Sequence, residues 1–79
     1  MVPGISVPEA AHHGVSFEVI VSTIPSRRVT VTDGISVASG VAGLDGLAVV
    51  QFVSTTLGTL TLKAESEGET NTVILQVMP

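Results

Sequence analysis

The stretch from Leu44 to Ala64 constrains the fold of this chain more than any other part of the sequence. It reads L-D-G-L-A-V-V-Q-F-V-S-T-T-L-G-T-L-T-L-K-A. The pair Asp45-Gly46 predicts a tight turn of the kind that hairpins use, because glycine accepts the positive φ that such a turn needs. After this pair, apolar residues alternate with polar or small ones, which is the period of a β-strand. The segment therefore predicts an all-β domain.

The same two-residue period recurs along the rest of the chain. Gly, Pro, Asn or Asp interrupts it roughly every eight to twelve residues, as in sandwiches and barrels. No window shows the i, i+3, i+4 apolar spacing of a helix. We expect about seven strands. They are predicted at 4–7, 15–23, 27–33, 35–39, 46–54, 59–66 and 70–78, with connections at 9–14 and 40–43.

One face of each predicted strand is apolar, and we expect these faces to form the core. A chain of 79 residues buries little more than half of its unfolded surface, so it needs a regular core. Hydrophobic residues make up 44% of the chain, and most of them are Val, Ile and Leu, which favour strands. The predicted core residues are Val15, Phe17, Val19, Val21, Val29, Val31, Ala48, Val50, Phe52, Leu60, Leu62, Ala64, Val73, Leu75 and Val77.

Charge and composition exclude several classes of function. Seven acidic residues against three basic ones give a net charge of −4, so no basic patch is available to neutralise several phosphates of a nucleic acid. Without cysteine, the chain has neither a disulfide framework nor a zinc-thiolate site. The longest weakly charged stretch, 46–62, is interrupted by Gly58 and rich in Thr and β-branched residues. We therefore expect no membrane insertion and no signal peptide in this segment.

The segment Leu44–Ala64, with its D-G turn and the pattern S-T-T-x-G-x-x-x-L-x-A, resembles the bacterial immunoglobulin-like domains of invasin and intimin type adhesins. Val15–Val21 and Val29–Thr32 are similar to the second and third strands of that family. Related prealbumin-like sandwiches use a similar D-G-x-A/V-x-V-x-F pattern. The resemblance implies an immunoglobulin-like antiparallel β-sandwich that acts as a spacer or binding module.

This resemblance leads to a functional hypothesis for residues 1–79 as one domain of a longer protein. We expect a non-catalytic structural or adhesion module, without a cofactor, in a cell-surface, secreted or virion-associated protein whose signal lies on the parent chain. Its partners would be neighbouring domains or a receptor protein. One alternative is a self-assembling subunit of a shell, filament or virion. A third is a carbohydrate-binding accessory module of a hydrolase, although Trp and Tyr, which stack on sugars, are absent.

Apolar residues on predicted outer faces form the candidate interaction site. In a sandwich of this type, strands 15–23 and 47–53 are neighbours, and their outward positions include Ile20, Leu47, Val49 and Val53. A contiguous exposed apolar patch usually marks contact with another protein, so these four residues are the predicted interface. The other interpretation is that the strand register is shifted or that a loop covers these side chains.

The histidine pair His12-His13 is a candidate metal site, with Glu9 as a third ligand. Adjacent residues of an extended chain point in opposite directions, so both rings bind one ion only in a bent loop. We interpret them as solvated loop histidines. No serine, histidine and carboxylate triad can be assigned, and thiol chemistry needs a cysteine, so the chain is not expected to be an enzyme.

Several acidic residues lie at predicted turns. Asp33, Asp45 and Glu67 each lie beside a glycine and are candidate calcium ligands. Calcium takes six to eight oxygen ligands, often from closely spaced acids, so we interpret these scattered residues as turn residues that accept hydrogen bonds from local amides. The run Glu65, Glu67 and Glu69 is expected to form a solvated acidic edge that resists pairing with other strands.

Overall fold

Eight β-strands in two sheets make up the described part of the chain, residues 3–79, in a computed structural model. None of these residues belongs to a helix that could cross a membrane. The strands are β1 (Gly4–Ser6), β2 (Ala10–His12), β3 (Phe17–Ser22), β4 (Arg28–Thr32), β5 (Val37–Val41), β6 (Leu47–Phe52), β7 (Gly58–Ser66) and β8 (Glu69–Met78).

The strands form a three-stranded sheet in the order β1-β3-β6 and a five-stranded sheet in the order β2-β8-β7-β4-β5. All neighbours are antiparallel except β2 and β8, which run parallel. The two sheets face each other across one shared apolar core. The prediction of an all-β antiparallel sandwich is therefore confirmed.

The core consists of the inward faces that the alternation of the sequence predicts. Most of it is Val, Ala and Leu, which pack between two sheets without polar atoms. Its aromatic pair is Phe17 and Phe52, which lie opposite each other on β3 and β6 with ring centroids 5.9 Å apart in an edge-to-face arrangement. Of the predicted core residues, all but Val15 and Val73 are buried, and Val73 is half-buried against the same cluster.

Val15 was predicted in the core but is 57% exposed. Gly14 adopts a positive φ of 75°, and the Val15 N–H donates to the carbonyl of His12 at 3.1 Å. Val15 therefore belongs to the turn before β3, which begins at Phe17. The alternating pattern extends into this turn by coincidence, so the predicted strand was too long at its start.

Segment 9–14 was predicted to be a connection, but it contains the short strand β2. This strand pairs in parallel with the end of β8, with Ala11 opposite Val77. The pairing continues beyond the strand through a bond of 2.7 Å from the His13 N–H to the Met78 carbonyl. The chain thus leaves the smaller sheet after β1 and joins the larger one at β2, which raises the strand number from the expected seven to eight.

The fourth predicted strand, 35–39, is displaced by two residues, because β5 spans Val37–Val41. Asp33 Oδ1 accepts the N–H groups of Ile35 and Ser36 at 2.9 and 2.7 Å, which holds both residues in the turn. At the other end, Gly40 belongs to the strand and not to a link. A Cβ atom on Gly40 would lie 3.3 Å from Val50 Cγ2, so β5 packs closely on β6 across the sandwich.

The turn at Asp45-Gly46 is confirmed, but the hairpin expected there is wrong. Gly46 has a φ of 79°, and Asp45 Oδ1 accepts the Leu47 N–H at 3.0 Å. The strands that flank this turn, β5 and β6, lie in different sheets. A true two-residue hairpin occurs at Glu67-Gly68, where both residues have positive φ, as a type I′ turn requires.

We predict that Gly46→Ala destabilises the protein far more than the matched change Gly34→Ala. Both glycines have positive φ, which costs an L-residue about 1–2 kcal/mol. At Gly46 the added Cβ would also lie 2.5 Å from the Thr23 carbonyl oxygen, whereas at Gly34 it meets nothing within 4 Å. Overpacking of this kind adds about 1–3 kcal/mol.

Urea denaturation of the two variants measures this difference. In Gly34→Ala, the free energy of unfolding is expected to fall only by the cost of a positive φ in an L-residue. In Gly46→Ala it is expected to fall by about 1–3 kcal/mol more. Equal losses in both variants would show that the backbone of Thr23 does not constrain position 46.

Candidate functional site

The register of β3 and β6 brings the predicted interface residues onto the outer face of the three-stranded sheet. Ile20 lies directly opposite Val49, and Leu47 lies opposite Ser22 on the same face. On the other side of β3, Ser6 of β1 lies opposite Ile20. The prediction that these two strands are neighbours is confirmed, with Ile20 at the middle of the face.

Exposure differs among these residues for a simple geometric reason. Val49 is 55% exposed and Leu47 is also exposed, because β6 is an edge strand of its sheet. Ile20 is half-buried because it lies on the central strand between Ser6 and Val49. We refer to Ile20, Leu47 and Val49 as the Ile20 patch.

Val53 is exposed but does not extend this patch. It follows the last residue of β6, and the side chain of Gln51 lies between it and Val49 on the same face. Gln51 Nε2 donates to Glu18 Oε2 at 3.2 Å, from the position directly opposite on β3. This polar pair divides the predicted stripe, so the contiguous apolar area is smaller than the sequence suggested.

A shallow depression adjoins the Ile20 patch on the side of β1. It has a volume of about 400 Å³ and is open to solvent. The lining residues are Ser6, Val7, Pro8, Phe17, Glu18 and Ile20. Four of these six lining residues are apolar and Glu18 is the only charged one, so the depression suits an apolar side chain from a partner better than a highly charged ligand.

The two histidines are placed apart, with their rings bonded to different carbonyl groups. His12 belongs to β2 and not to a loop, and its Nδ1 lies 3.3 Å from the Pro79 carbonyl oxygen. His13 follows in a turn, with Nε2 3.1 Å from the Thr55 carbonyl oxygen. Within residues 3–79, no group of three or more His, Cys, Asp or Glu side chains is arranged to hold a metal ion.

Two of the three turn acids, Asp33 and Asp45, accept hydrogen bonds from local amides as interpreted from the sequence, whereas Glu67 pairs with Arg27. Asp33 Oδ1 accepts two N–H groups within its own turn, and Asp45 Oδ1 accepts one. Such bonds fix the turn in the way that an Asx-turn does. Asp33 Oδ2 is buried and accepts no hydrogen bond from the described residues.

The acidic edge expected at Glu65, Glu67 and Glu69 is wrong, because Glu65 lies on β7, which pairs with β4 on one side and β8 on the other. Glu67 and Glu69 instead lie on either side of the β7–β8 turn and face Arg27. Arg27 Nε is 3.4 Å from Glu67 Oε2, and its terminal nitrogen is 3.8 Å from Glu69 Oε1. Both pairs are partly exposed, so each contributes little to stability.

A second group of exposed apolar residues lies around β5 and was not singled out in the sequence. Val37 and Val41 point outward from this strand, and Ile35 and Leu44 flank it. The signal was the alternation Val37, Ser39, Val41. It was missed because the predicted strand, 35–39, ended before Val41, which was assigned to the connection at 40–43.

Comparisons with known proteins support the fold. No family model matches the chain, and a search of curated protein sequences also finds no match. Among solved structures, the chain is similar to part of a carbohydrate acetylesterase from Xanthomonas citri, with a TM-score of 0.76 and 16% sequence identity. The similarity covers 95% of this chain and 19% of that protein.

The chain therefore spans about a fifth of the length of the acetylesterase that it resembles. At 16% identity, the similarity shows a shared fold and carries no residue of a catalytic site to this chain. A fold of this kind hosts many functions, so the function has to be argued from the surface and the path of the chain.

We predict that Asp33→Ala lowers the free energy of unfolding by about 1–3 kcal/mol, because it leaves the Ile35 and Ser36 N–H groups without their acceptor. Asp33→Asn is the matched control, since its side-chain carbonyl replaces Oδ1 as acceptor. Thermal denaturation monitored by circular dichroism measures both variants. An Asn variant as unstable as the Ala variant would show that charge, and not the turn hydrogen bonds, makes Asp33 stabilising.

Proposed function

We propose that this domain is a non-catalytic structural module, a spacer that also offers a protein-binding surface, within a larger surface, secreted or virion-associated protein. The path of the chain through the sandwich carries this proposal. The two ends of the described chain lie at opposite ends of the molecule, as a domain linked in series with others requires.

The positions of both ends are fixed by hydrogen bonds to β8 and its neighbour. At the start of β8, Asn71 Nδ2 donates to the Pro3 carbonyl at 2.9 Å. At its end, Met78 accepts the His13 N–H at 2.7 Å. Asn71 and Met78 are seven steps apart along an extended strand, a distance of about 23 Å. The longest dimension of the molecule is 35 Å, so β8 spans most of it.

Tension between the two ends would load the sandwich along its strands. The first two strands hold the N-terminal segment, β1 in the small sheet and β2 in the large one. Because β2 runs parallel to β8, a pull in opposite directions at residues 3 and 79 shears the hydrogen bonds between them all at once. Bonds loaded together resist more force than bonds opened singly, which suits a spacer under load.

We place the domain among the immunoglobulin-like sandwiches, close to the bacterial immunoglobulin-like domains that its sequence resembles. The order β8-β7-β4 corresponds to the three central strands of one sheet of that fold, and β1-β3-β6 to three strands of the other. The division of the N-terminal segment between both sheets fits the same arrangement.

The Ile20 patch and the adjoining depression supply the contact surface of this proposal. Exposed aliphatic side chains next to an apolar concavity fit a neighbouring domain or a receptor protein. The surroundings of the patch are polar and uncharged at Ser6 and Ser22, and the Glu18–Gln51 pair borders it. An apolar centre with a polar border is the usual layout of a protein-binding surface.

A second candidate is an accessory domain of a carbohydrate-active enzyme, which the structural similarity to a fifth of a carbohydrate acetylesterase favours. In that case the domain would position or support a catalytic domain elsewhere in the parent chain. The lack of Trp and Tyr leaves sugar binding to polar side chains, which bind sugars weakly without an aromatic platform.

Single-molecule pulling tests the spacer proposal. The domain is placed between two marker domains attached before residue 3 and after residue 79, and is compared with His13→Pro. Proline removes the N–H that donates to Met78, so we expect a lower unfolding force and a loss of about 1 kcal/mol of stability. His13→Ala keeps the N–H and is expected to retain most of the unfolding force.

Two outcomes would contradict the spacer proposal. The first is that the domain unfolds gradually from one end at low force. The second is that His13→Pro and His13→Ala unfold at the same force, which would show that the His13–Met78 hydrogen bond does not resist tension. Binding to a glycan array would favour the accessory-domain candidate instead.

A further inference from the structure

The strand β5 forms an open edge of the five-stranded sheet. It pairs with β4 on one side, and no strand among the described residues pairs with its other side. Two backbone hydrogen bonds, from the Ala42 N–H to the Arg27 carbonyl and from the Asp33 N–H to the Ser36 carbonyl, identify which residues of β5 bond to β4. Hydrogen-bonded pairs alternate along an antiparallel ladder, so Gly40 and Ala38 bond to β4. Val37, Ser39 and Val41 then direct their N–H and C=O groups to the open side.

This edge lacks the features that usually prevent strand pairing. Residues 37–41 read V-A-S-G-V, without a charge or a proline, and no bulge interrupts the ladder to β4. Val37 is 68% exposed and Val41 64% exposed. The edges at β1, β2 and β6 are less open: β1 and β2 have three residues each, and on β6 the Leu47 carbonyl already accepts the Gly43 N–H at 3.0 Å. The outer side of β8 pairs with β2 only over residues 76–78, and near the start of β8 the Pro3 carbonyl accepts Asn71 Nδ2 at 2.9 Å.

The sequence of β5 is close to palindromic around Ser39, which makes it complementary to itself. In an antiparallel pair of two copies centred on Ser39, Val37 of one copy lies opposite Val41 of the other, and the two Ser39 residues face each other. The three residues with free backbone groups then meet as three hydrogen-bonded pairs, about six hydrogen bonds in all. If the register of the two strands shifted by one residue, the free backbone groups of one copy would lie opposite Ala38 and Gly40 of the other, whose backbone groups already bond to β4.

Side-chain chemistry agrees with this register. Val37 and Val41 would form cross-strand pairs on the outer face, which is a favourable combination of β-branched residues. Residues 37–41 carry no charge, so the pairing of two β5 strands places no like charges directly opposite each other. On β4, Thr32 lies opposite Val37 and Arg28 lies opposite Val41. Ile35 and Leu44, exposed at either side of β5, would be partly covered.

We infer that β5 pairs with β5 of a second copy of this chain, antiparallel and centred on Ser39, to form one continuous sheet of both molecules. Such an interface is isologous, so it closes as a dimer. The pairing strands run in opposite directions, so the second molecule is related to the first by a two-fold axis through the paired Ser39 residues. This inference goes beyond the proposed function and uses a surface other than the Ile20 patch.

Covalent trapping tests the register. Ser39→Cys places its thiol at the two-fold axis, where paired Cα atoms lie about 5.5 Å apart, within reach of a disulfide. Since the chain has no other cysteine, mild oxidation is expected to give a dimer quickly. The control is Thr61→Cys, on the central strand β7. Its rate of crosslinking is expected to be lower by about tenfold or more. Equal rates for the two variants would overturn the inference.

Sedimentation from micromolar to millimolar concentration tests the free protein. The dimer is expected in the unmodified chain and in Ser39→Ala, which keeps the backbone N–H. Ser39→Pro removes that N–H without breaking a bond to β4, and is expected to weaken the dimer about tenfold or more. Thermal melting checks that it folds, and Val37→Lys serves as a second variant if it does not.

Three results would overturn the inference. The unmodified chain could stay monomeric up to millimolar concentration, or folded Ser39→Pro could dimerise as well as Ser39→Ala. A dimer lost in Val49→Glu and kept in Ser39→Pro would assign self-association to the Ile20 patch.

Discussion

The close approach of Gly46 to the backbone of Thr23 is the constraint on which the arrangement of the two sheets depends. The Thr23 N–H donates to the Gly46 carbonyl at 2.8 Å, and a Cβ at position 46 would lie 2.5 Å from the Thr23 carbonyl oxygen. This contact starts the β3–β6 ladder and therefore sets which residues face outward on it. Thr23 Oγ1 also lies 3.0 Å from the buried Ser66 Oγ at the end of β7, so the same corner ties the small sheet to the large one. The opposition of Ile20 and Val49 on the outer face is thus set by a contact at the end of the strands.

The residues that form the core and the exposed apolar residues lie on opposite faces of the strands. The inner faces of the sandwich are filled by small aliphatic residues and one aromatic pair, and the two buried serines are hydrogen-bonded, Ser54 to Thr56 within a turn and Ser66 to Thr23 between the sheets. Two groups of neighbouring apolar side chains are exposed on the outer faces, the Ile20 patch in the middle of the small sheet and the edge strand β5 of the large one. They differ in kind, because the first offers side chains and the second offers backbone hydrogen bonds.

Residues that obey a local rule could be predicted from the sequence, and residues that depend on a distant partner could not. Alternation identified the inner faces and the outward positions of Ile20, Leu47 and Val49, because side-chain direction in a strand follows from parity. The strand β2 was missed because three residues carry too little pattern, and its pairing depends on the end of β8. The start of β5 was misplaced because Asp33 holds two residues of the pattern in a turn. The Asp45-Gly46 pair determines a turn geometry but not which sheet receives the next strand, so a hairpin and a crossover look alike in sequence.

The separation of the chain ends has a consequence for how such a domain is combined with others. Domains whose ends lie side by side are readily inserted into surface loops or circularly permuted. Here Pro3 and Pro79 are bonded to opposite ends of the sandwich, so joining them would require a linker of seven or more extended residues across its surface, or about 23 Å. Duplication in tandem, by contrast, needs no rearrangement, and each added copy lengthens the array. The geometry suits tandem duplication of the domain better than its insertion into a surface loop.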